Sequence, residues 1–346
     1  MVIETQLKNP YKILPLGYLT RLSRQLEKVS FSMPKLLKKE FIEQGTEDYK
    51  ASLVEVGKEK VLYITIPYKG CTQCPRCLFC GVQEQSNKDL IIGKIFGEKV
   101  LAKVREFTDI NSPDSIVLYN GGNILRPAEM FQETVLADIP EFVASCPTLQ
   151  SYELEARADD IVQFVESLKT IQAHLKGKKL RIRLGIEFLD DELLKRHRKG
   201  INTEQIQQAV NLLNKLDIGW NGYALLGGLD MSREEARNIA VQSGKFMIDN
   251  NAYKVSVNGV FVTDRLDESF AERIYVPDYQ DLIFVLNQLC AYREAKSSKT
   301  LFKVGFKEED TKNVVRFPYA SSAKEIKEIS SKLREFNLSQ NPKCLV

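Results

Sequence analysis

Short apolar runs rich in β-branched residues recur along the chain, at residues 61–67, 115–119, 149–154, 180–188, 220–226 and 253–262. Their length and composition predict strands, and in the third, apolar and polar positions alternate as on a half-buried strand. Between them lie stretches with helical spacing: residues 89–107, residues 127–145 with Pro127 in the first turn, and residues 159–175, where Ile161, Phe164, Val165 and Leu168 share one face. Asn202 followed by Gln205 predicts a capping box ahead of Ile206, Ala209, Val210 and Leu213, with Gly219 closing the segment, and Ser232 with Glu235 repeats the signature.

Six strands alternating with helices predict parallel pairing through right-handed crossovers, in a barrel or a doubly wound sheet. Beyond residue 265 the pattern loosens into a helix over 281–294, a strand pair within 301–317 and a closing helix over 323–336. The expected organisation is an N-terminal extension over 1–55 with helix-compatible stretches, a core over 56–265, and a small α+β cap over 266–346.

Composition changes this picture little. With 346 residues, 43% hydrophobic and 27% charged, the chain has ordinary globular values and can bury a sizeable core. Glu4, Lys8, Lys12, Arg21, Arg24 and Lys28 interrupt the first thirty positions, which argues against a secretory signal or a membrane span and makes the cytoplasm the expected location. A formal charge of +3 is too slight to require a nucleic acid partner and does not forbid one.

The seven cysteines change the picture most. Cys146, Cys290 and Cys344 stand alone, whereas Cys71, Cys74, Cys77 and Cys80 fall in one short stretch directly after the first of the six strands. Thiolates this dense in a charged chain argue for a metal centre rather than a disulfide framework. Tetrahedral zinc usually draws two Cys-x2-Cys knuckles from separated parts of a chain, and zinc or a redox module stays open as the alternative. A bacterial ferredoxin run would continue to a fourth Cys-Pro, which is missing here. An iron-sulfur cluster held by three cysteines keeps one iron open for a ligand.

Cys77-Leu78-Phe79-Cys80-Gly81 resembles the end of the radical SAM signature, Cys-x3-Cys-x-aromatic-Cys, which follows the first barrel strand. The first cysteine departs from that spacing, with Cys71 at x5 and Cys74 at x2. Longer spacings occur in the branch containing the Elongator catalytic subunit and the archaeosine-forming radical SAM enzymes, where the first ligand follows a glycine, as Cys71 follows Gly70. By that resemblance Cys71, Cys77 and Cys80 hold a 4Fe-4S cluster, and Cys74 is a neighbour or a fourth ligand of the resting cluster.

Other segments are similar to the same branch. Gly121-Gly122-Asn123 stands where a Gly-Gly-Glu segment holds the amino group of S-adenosylmethionine (SAM), with asparagine in place of the carboxylate. Glu155 and Arg157 match a Glu-x-Arg segment, the guanidinium pairing with the SAM carboxylate. Glu187, after Gly185-Ile186, matches a ribose-binding position. His197, inside the basic run 195–199, reads as part of a solvated helix end.

The resemblance implies a partial (β/α)6 TIM-type barrel with its chemistry in the loops at the C-terminal ends of the strands. It implies an enzyme that cleaves SAM reductively to a 5'-deoxyadenosyl radical for hydrogen abstraction, with a flavodoxin- or ferredoxin-type electron donor. The substrate is left between a tRNA base and a small metabolite or peptide, with no membrane partner expected.

Overall fold

The structure is a computed structural model and describes residues 49–68, 77–78, 94–120, 124–126, 133–263, 268–305, 314–316, 318–319 and 323–346. The helical pattern expected near the N-terminus and most of the cysteine stretch lie outside the described residues.

Eight strands form one sheet in the order β1 (Lys50–Val56), β2 (Glu59–Thr65), β3 (Ser115–Tyr119), β4 (Ser151–Ala156), β5 (Lys179–Glu187), β6 (Gly219–Leu226), β7 (Lys254–Gly259) and β8 (Leu301–Val304). From β2 to β8 every neighbouring pair is parallel, and β1 is antiparallel to β2 across a two-residue turn at Gly57, whose φ of 59° suits glycine. All six predicted strands are present. Segment 301–317 differs from the expected strand pair. Its first part joins β7 as a parallel strand, and Val314–Arg316 pairs instead with Val262–Thr263. Lys50–Val56, in the span read as an extension, and Leu301–Val304, in the span read as a cap, both belong to the barrel sheet.

The helices between these strands are α1 (Lys94–Asn111), α2 (Ile139–Ser145), α3 (Ala158–Gln163), α4 (Val165–His174), α5 (Asp191–Arg196), α6 (Thr203–Lys215) and α7 (Arg233–Asp249), followed by α8 (Tyr279–Ala295) and α9 (Ala323–Ser339). Both expected capping boxes form, at Asn202 with Gln205 and at Ser232 with Glu235. A third, Asp278 with Asp281, opens α8.

The strand alternation sorts residues between two environments. Leu62, Ile64, Ile116, Leu118, Leu154, Ile182, Leu184 and Val255 face the helices and form the main core. The opposite face lines the inside of the curved sheet. Val61, Tyr63 and Val117 make a small separate cluster there, and beside them the lining is polar: Glu153, Arg181, Arg183, Asn221 and Lys254 are all buried.

Among the described residues, the outer edge of β8 is closed by side chains rather than by another strand. Asn337 accepts from the Val304 N–H at 2.8 Å and donates to its carbonyl at 3.2 Å, and Gln340 does the same for Phe302 at 2.6 and 2.8 Å. The backbone carbonyl of Asn337 accepts from Gly57 N–H at 2.8 Å, which ties the β1–β2 turn to the same helix end. Two carboxamides three residues apart thus satisfy backbone groups that would otherwise form an open edge.

Candidate active site

Parallel pairing points every strand from β2 to β8 the same way, so the residues closing β3, β4 and β5 meet at one mouth. Tyr119 ends β3, Glu155 is the penultimate residue of β4 with Arg157 just beyond, and Glu187 ends β5. Cys71, Cys80, Gly121, Gly122 and Asn123 lie outside the described residues. Cys77, Glu155, Arg157 and Glu187 are described.

Arg157 stands at the N-cap of α3 with extended backbone, ψ 154°, and its side chain turns into the mouth. Its Nε donates to Asp159 at 3.0 Å, Nη1 to the Lys199 carbonyl at 3.0 Å and Nη2 to the Gly200 carbonyl at 3.2 Å. Glu187 adopts φ 61°, unusual for a residue with a side chain, next to a register shift between β5 and β6. Its carboxylate accepts from Lys199 Nζ at 3.0 Å. Gly185 allows that approach, because a Cβ there would stand 2.6 Å from Lys199 Nζ and 2.9 Å from Glu187 Oε1.

Lys199 is the residue that sequence reasoning missed. Burial by itself would lower its pKa, but Glu187 and then Cys77 outweigh burial and raise it, so the ammonium stays charged between a carboxylate and the cysteine loop. Next to Cys77, the Leu78 N–H donates to the His197 carbonyl at 3.1 Å. Lys199 therefore joins the loop after β2, the start of α3 and the end of β5. Its place in the basic run 195–199 concealed it. The one signal available was Gly200 directly after it, which marks where the chain turns back toward the barrel.

His197 corrects the reading of that run as a solvated end: it is 1% exposed. Helix α5 has only six residues, so its last turn folds into the body of the protein rather than out to water. Nδ1 lies 2.8 Å from the Leu193 carbonyl, and Nε2 accepts from the Leu229 N–H at 2.8 Å, which assigns the proton to Nδ1. Burial lowers its pKa and keeps the ring neutral. Gly228 leaves room for it, since a Cβ there would meet Nε2 at 2.6 Å.

Beneath the mouth, the barrel interior carries a ladder of charge. Glu59 of β2 pairs with Arg181 at 2.5 Å, Arg181 with Glu153 at 3.0 Å, and Glu153 with Arg183 at 2.8 Å. Burial would raise the Glu153 pKa, but Arg183, Lys254 and Arg181 together lower it to about 2. Above Arg183 the hydroxyls of Tyr119 and Tyr223 lie 2.8 Å apart. The charge of Glu155 bears on both, which places that carboxylate beside them.

No family model matches the chain. A curated relative, an uncharacterized protein of Methanocaldococcus jannaschii, is 25% identical over 210 residues, covering 57% of this chain and 54% of the relative. The chain thus spans about half the length of the curated relative it matches. Among solved structures, the archaeal Elp3 of Methanocaldococcus infernus superposes with a TM-score of 0.50 at 13% identity, over 70% of this chain and 59% of that one. Its agreement covers the nearly closed, barrel-like parallel sheet described above. The fold is that of the radical SAM enzymes. HemN of Escherichia coli, described as a radical SAM enzyme, gives a TM-score of 0.45 at 14% identity over 70% of this chain and 53% of its own.

The residues at the mouth of this barrel fit a thiolate-held, SAM-binding cluster in their chemistry. Cys77 is half-buried at the opening beside a buried ammonium, and Arg157 and Glu187 offer a cation and an anion for a zwitterionic, ribose-bearing ligand. Among the described residues no three His, Cys, Asp or Glu side chains converge on a metal position, consistent with Cys71 and Cys80 lying outside them. Among the described residues, too, no helix is long and apolar enough to cross a membrane.

Proposed function

We propose that this protein is a radical SAM enzyme in which Cys71, Cys77 and Cys80 hold a 4Fe-4S cluster and SAM occupies the mouth of the barrel. The observation that carries this reading is the junction at Lys199, which joins the cysteine loop to Arg157 and Glu187. When bound, the cluster supplies one electron for reductive cleavage of SAM to methionine and a 5'-deoxyadenosyl radical, which abstracts hydrogen from substrate.

The chain's own residues bind and orient. Arg157 pairs with the SAM carboxylate, Glu187 accepts from the ribose hydroxyls, and Glu155 and the Gly121-Gly122-Asn123 segment hold the remaining polar groups of SAM. Lys199 keeps Glu187 aimed and compensates the thiolate charge. The core over 56–265 carries this chemistry, with a flavodoxin- or ferredoxin-type protein as electron donor, in the cytoplasm.

The substrate we favour is a tRNA base, on the resemblance of the motifs to the Elongator and archaeosine branch, with a small metabolite or peptide as the other reading. The deciding experiment incubates anaerobically reconstituted protein with dithionite and SAM and measures 5'-deoxyadenosine by mass spectrometry. Release of the nucleoside is expected. Intact SAM over a fully occupied cluster refutes the assignment, and zinc in place of iron in the purified protein replaces it. Nucleoside profiling of tRNA from a deletion strain then tests the substrate, a missing modified base being the expected result and an unchanged profile excluding the tRNA reading.

A further inference from the structure

The phenols at the mouth hold a hydrogen-bond donor that no described group accepts. Tyr119 and Tyr223 place their hydroxyls 2.8 Å apart, and Arg183 Nη1 donates to them at 3.2 and 3.5 Å. One O–H of the pair donates to the other hydroxyl. The second finds no acceptor among the described residues, and with the guanidinium donating to both oxygens it has to face away from Arg183.

Arg183 itself is not available to a ligand. It is completely buried, donating through Nε to Glu153 at 2.9 Å and through Nη2 to Tyr63 at 2.9 Å. Its charge sits behind the phenols and strengthens their donation. Tyr63 is 6% exposed, whereas Tyr119 and Tyr223 are only half-buried. Burial raises the pKa of both Tyr119 and Tyr223, so the pair donates at any physiological pH.

The nearby charges restrict the ligand. Glu153, which Arg181 shares, pairs with Arg183, and the charge of Glu155 bears on the phenols. A carboxylate or phosphate ligand would be repelled by Glu155, whereas a neutral oxygen would not. Amides and lactams carry the strongest neutral carbonyl acceptors. We propose that the Tyr119–Tyr223 pair is a substrate-binding site that grips the carbonyl oxygen of an amide or lactam group within the barrel. Use of this site in catalysis rests on the radical SAM reading, but the binding does not.

The test is saturation-transfer NMR on the full chain under anaerobic conditions, with 2-pyrrolidinone as the probe and acetate as its charged counterpart. Wild type is expected to bind pyrrolidinone in preference to acetate. The double substitution Tyr119→Phe with Tyr223→Phe weakens it at least about fivefold, the factor that one neutral hydrogen bond is worth. Each single substitution retains binding, because the surviving hydroxyl no longer donates to its partner and can turn to the ligand. Tyr63→Phe also contacts Arg183 but leaves binding unchanged, which separates recognition from a general loosening of the barrel.

Failure of wild type to bind pyrrolidinone, unchanged binding in the double variant, or preference for acetate overturns the proposal. If the double variant does not fold, wild type labelled with 3-fluorotyrosine decides. The two fluorine resonances assigned through the single variants must shift with 2-pyrrolidinone and stay still with pyrrolidinium. Lactam binding without any 5'-deoxyadenosine formation removes the radical reading and keeps the site; nucleoside release without lactam binding removes the site and keeps the reading.

Discussion

Replacing Glu153 with glutamine removes one negative charge from the most enclosed part of the barrel while keeping size and shape. In the native protein Oε1 accepts from Arg181 at 3.0 Å, and Oε2 accepts from Arg183 Nε at 2.9 Å and Asn221 Nδ2 at 3.0 Å. A glutamine must turn its NH2 toward one of these donors, so the substitution sets donor against donor as well as leaving two guanidinium groups undercompensated. Breaking a buried ion pair by removing one partner typically costs about 3–5 kcal/mol. The lowering of the Glu153 pKa from 4.5 to about 2 leads to a similar figure, about 3 kcal/mol.

The assay is urea unfolding followed by circular dichroism, with wild type and Glu153→Gln compared at pH 7. A loss of about 3 kcal/mol is expected, read as a lower midpoint at unchanged slope. The pH dependence has a definite sign. Because the folded-state pKa is depressed, the contribution of Glu153 is present above 4.5 and is lost as pH falls toward about 2, so the gap between the two proteins narrows over that window. A loss below about 1 kcal/mol at pH 7, or a gap that stays constant on acidification, refutes the idea that this ladder holds the barrel interior together.

Cys71→Ala, Cys77→Ala and Cys80→Ala should each abolish cluster absorbance and SAM cleavage while Cys74→Ala keeps them; loss of the cluster in Cys74→Ala with retention in Cys71→Ala exchanges the two assignments. Alanine at Glu155, Arg157 or Glu187 should weaken SAM binding, measured by equilibrium dialysis, with iron content near wild type, and iron loss at unchanged SAM affinity would remove them from the site. Lys199→Met leaves Glu187 without its 3.0 Å partner and is expected to lower both SAM affinity and cluster retention; wild-type values for both would reduce Lys199 to a packing residue. His197→Ala removes a buried ring with two hydrogen bonds and should cost about 1–3 kcal/mol. With its folded-state pKa lowered, His197 stabilises above 6.5 and loses that contribution as pH falls, so thermal melts of the variant should be less sensitive to acidification than those of wild type.

The chain's periodicity determined a good deal by itself. The six predicted runs are strands, and the capping boxes at Asn202 and Ser232 form where Ser, Asn, Gln and Glu could complete them locally. In β5, Leu180, Ile182 and Leu184 lie on one face and Arg181 and Arg183 on the other, since successive side chains on a strand must point to opposite faces. The order of strands and helices also placed Glu155, Arg157 and Glu187 at one end of the sheet, because parallel strands share a direction.

Tertiary structure alone decided what those faces meet. Nothing local distinguishes a solvated lysine from one that reaches across to Glu187 and the cysteine loop, as Lys199 does over the bare backbone of Gly185. The burial of His197 depends on Leu229 and Gly228, thirty or so positions away, and the pairing of Tyr119 with Tyr223 on strands that are not neighbours. Likewise β1 and β8 read as peripheral segments because a strand is recognised by its burial on both sides. The second side is supplied only when β2, β7 and the carboxamides of Asn337 and Gln340 close around them. Local sequence sets which groups each element offers to each face. The partners for buried charges and open edges come from distant chain, and only closure of the barrel brings them within hydrogen-bonding distance.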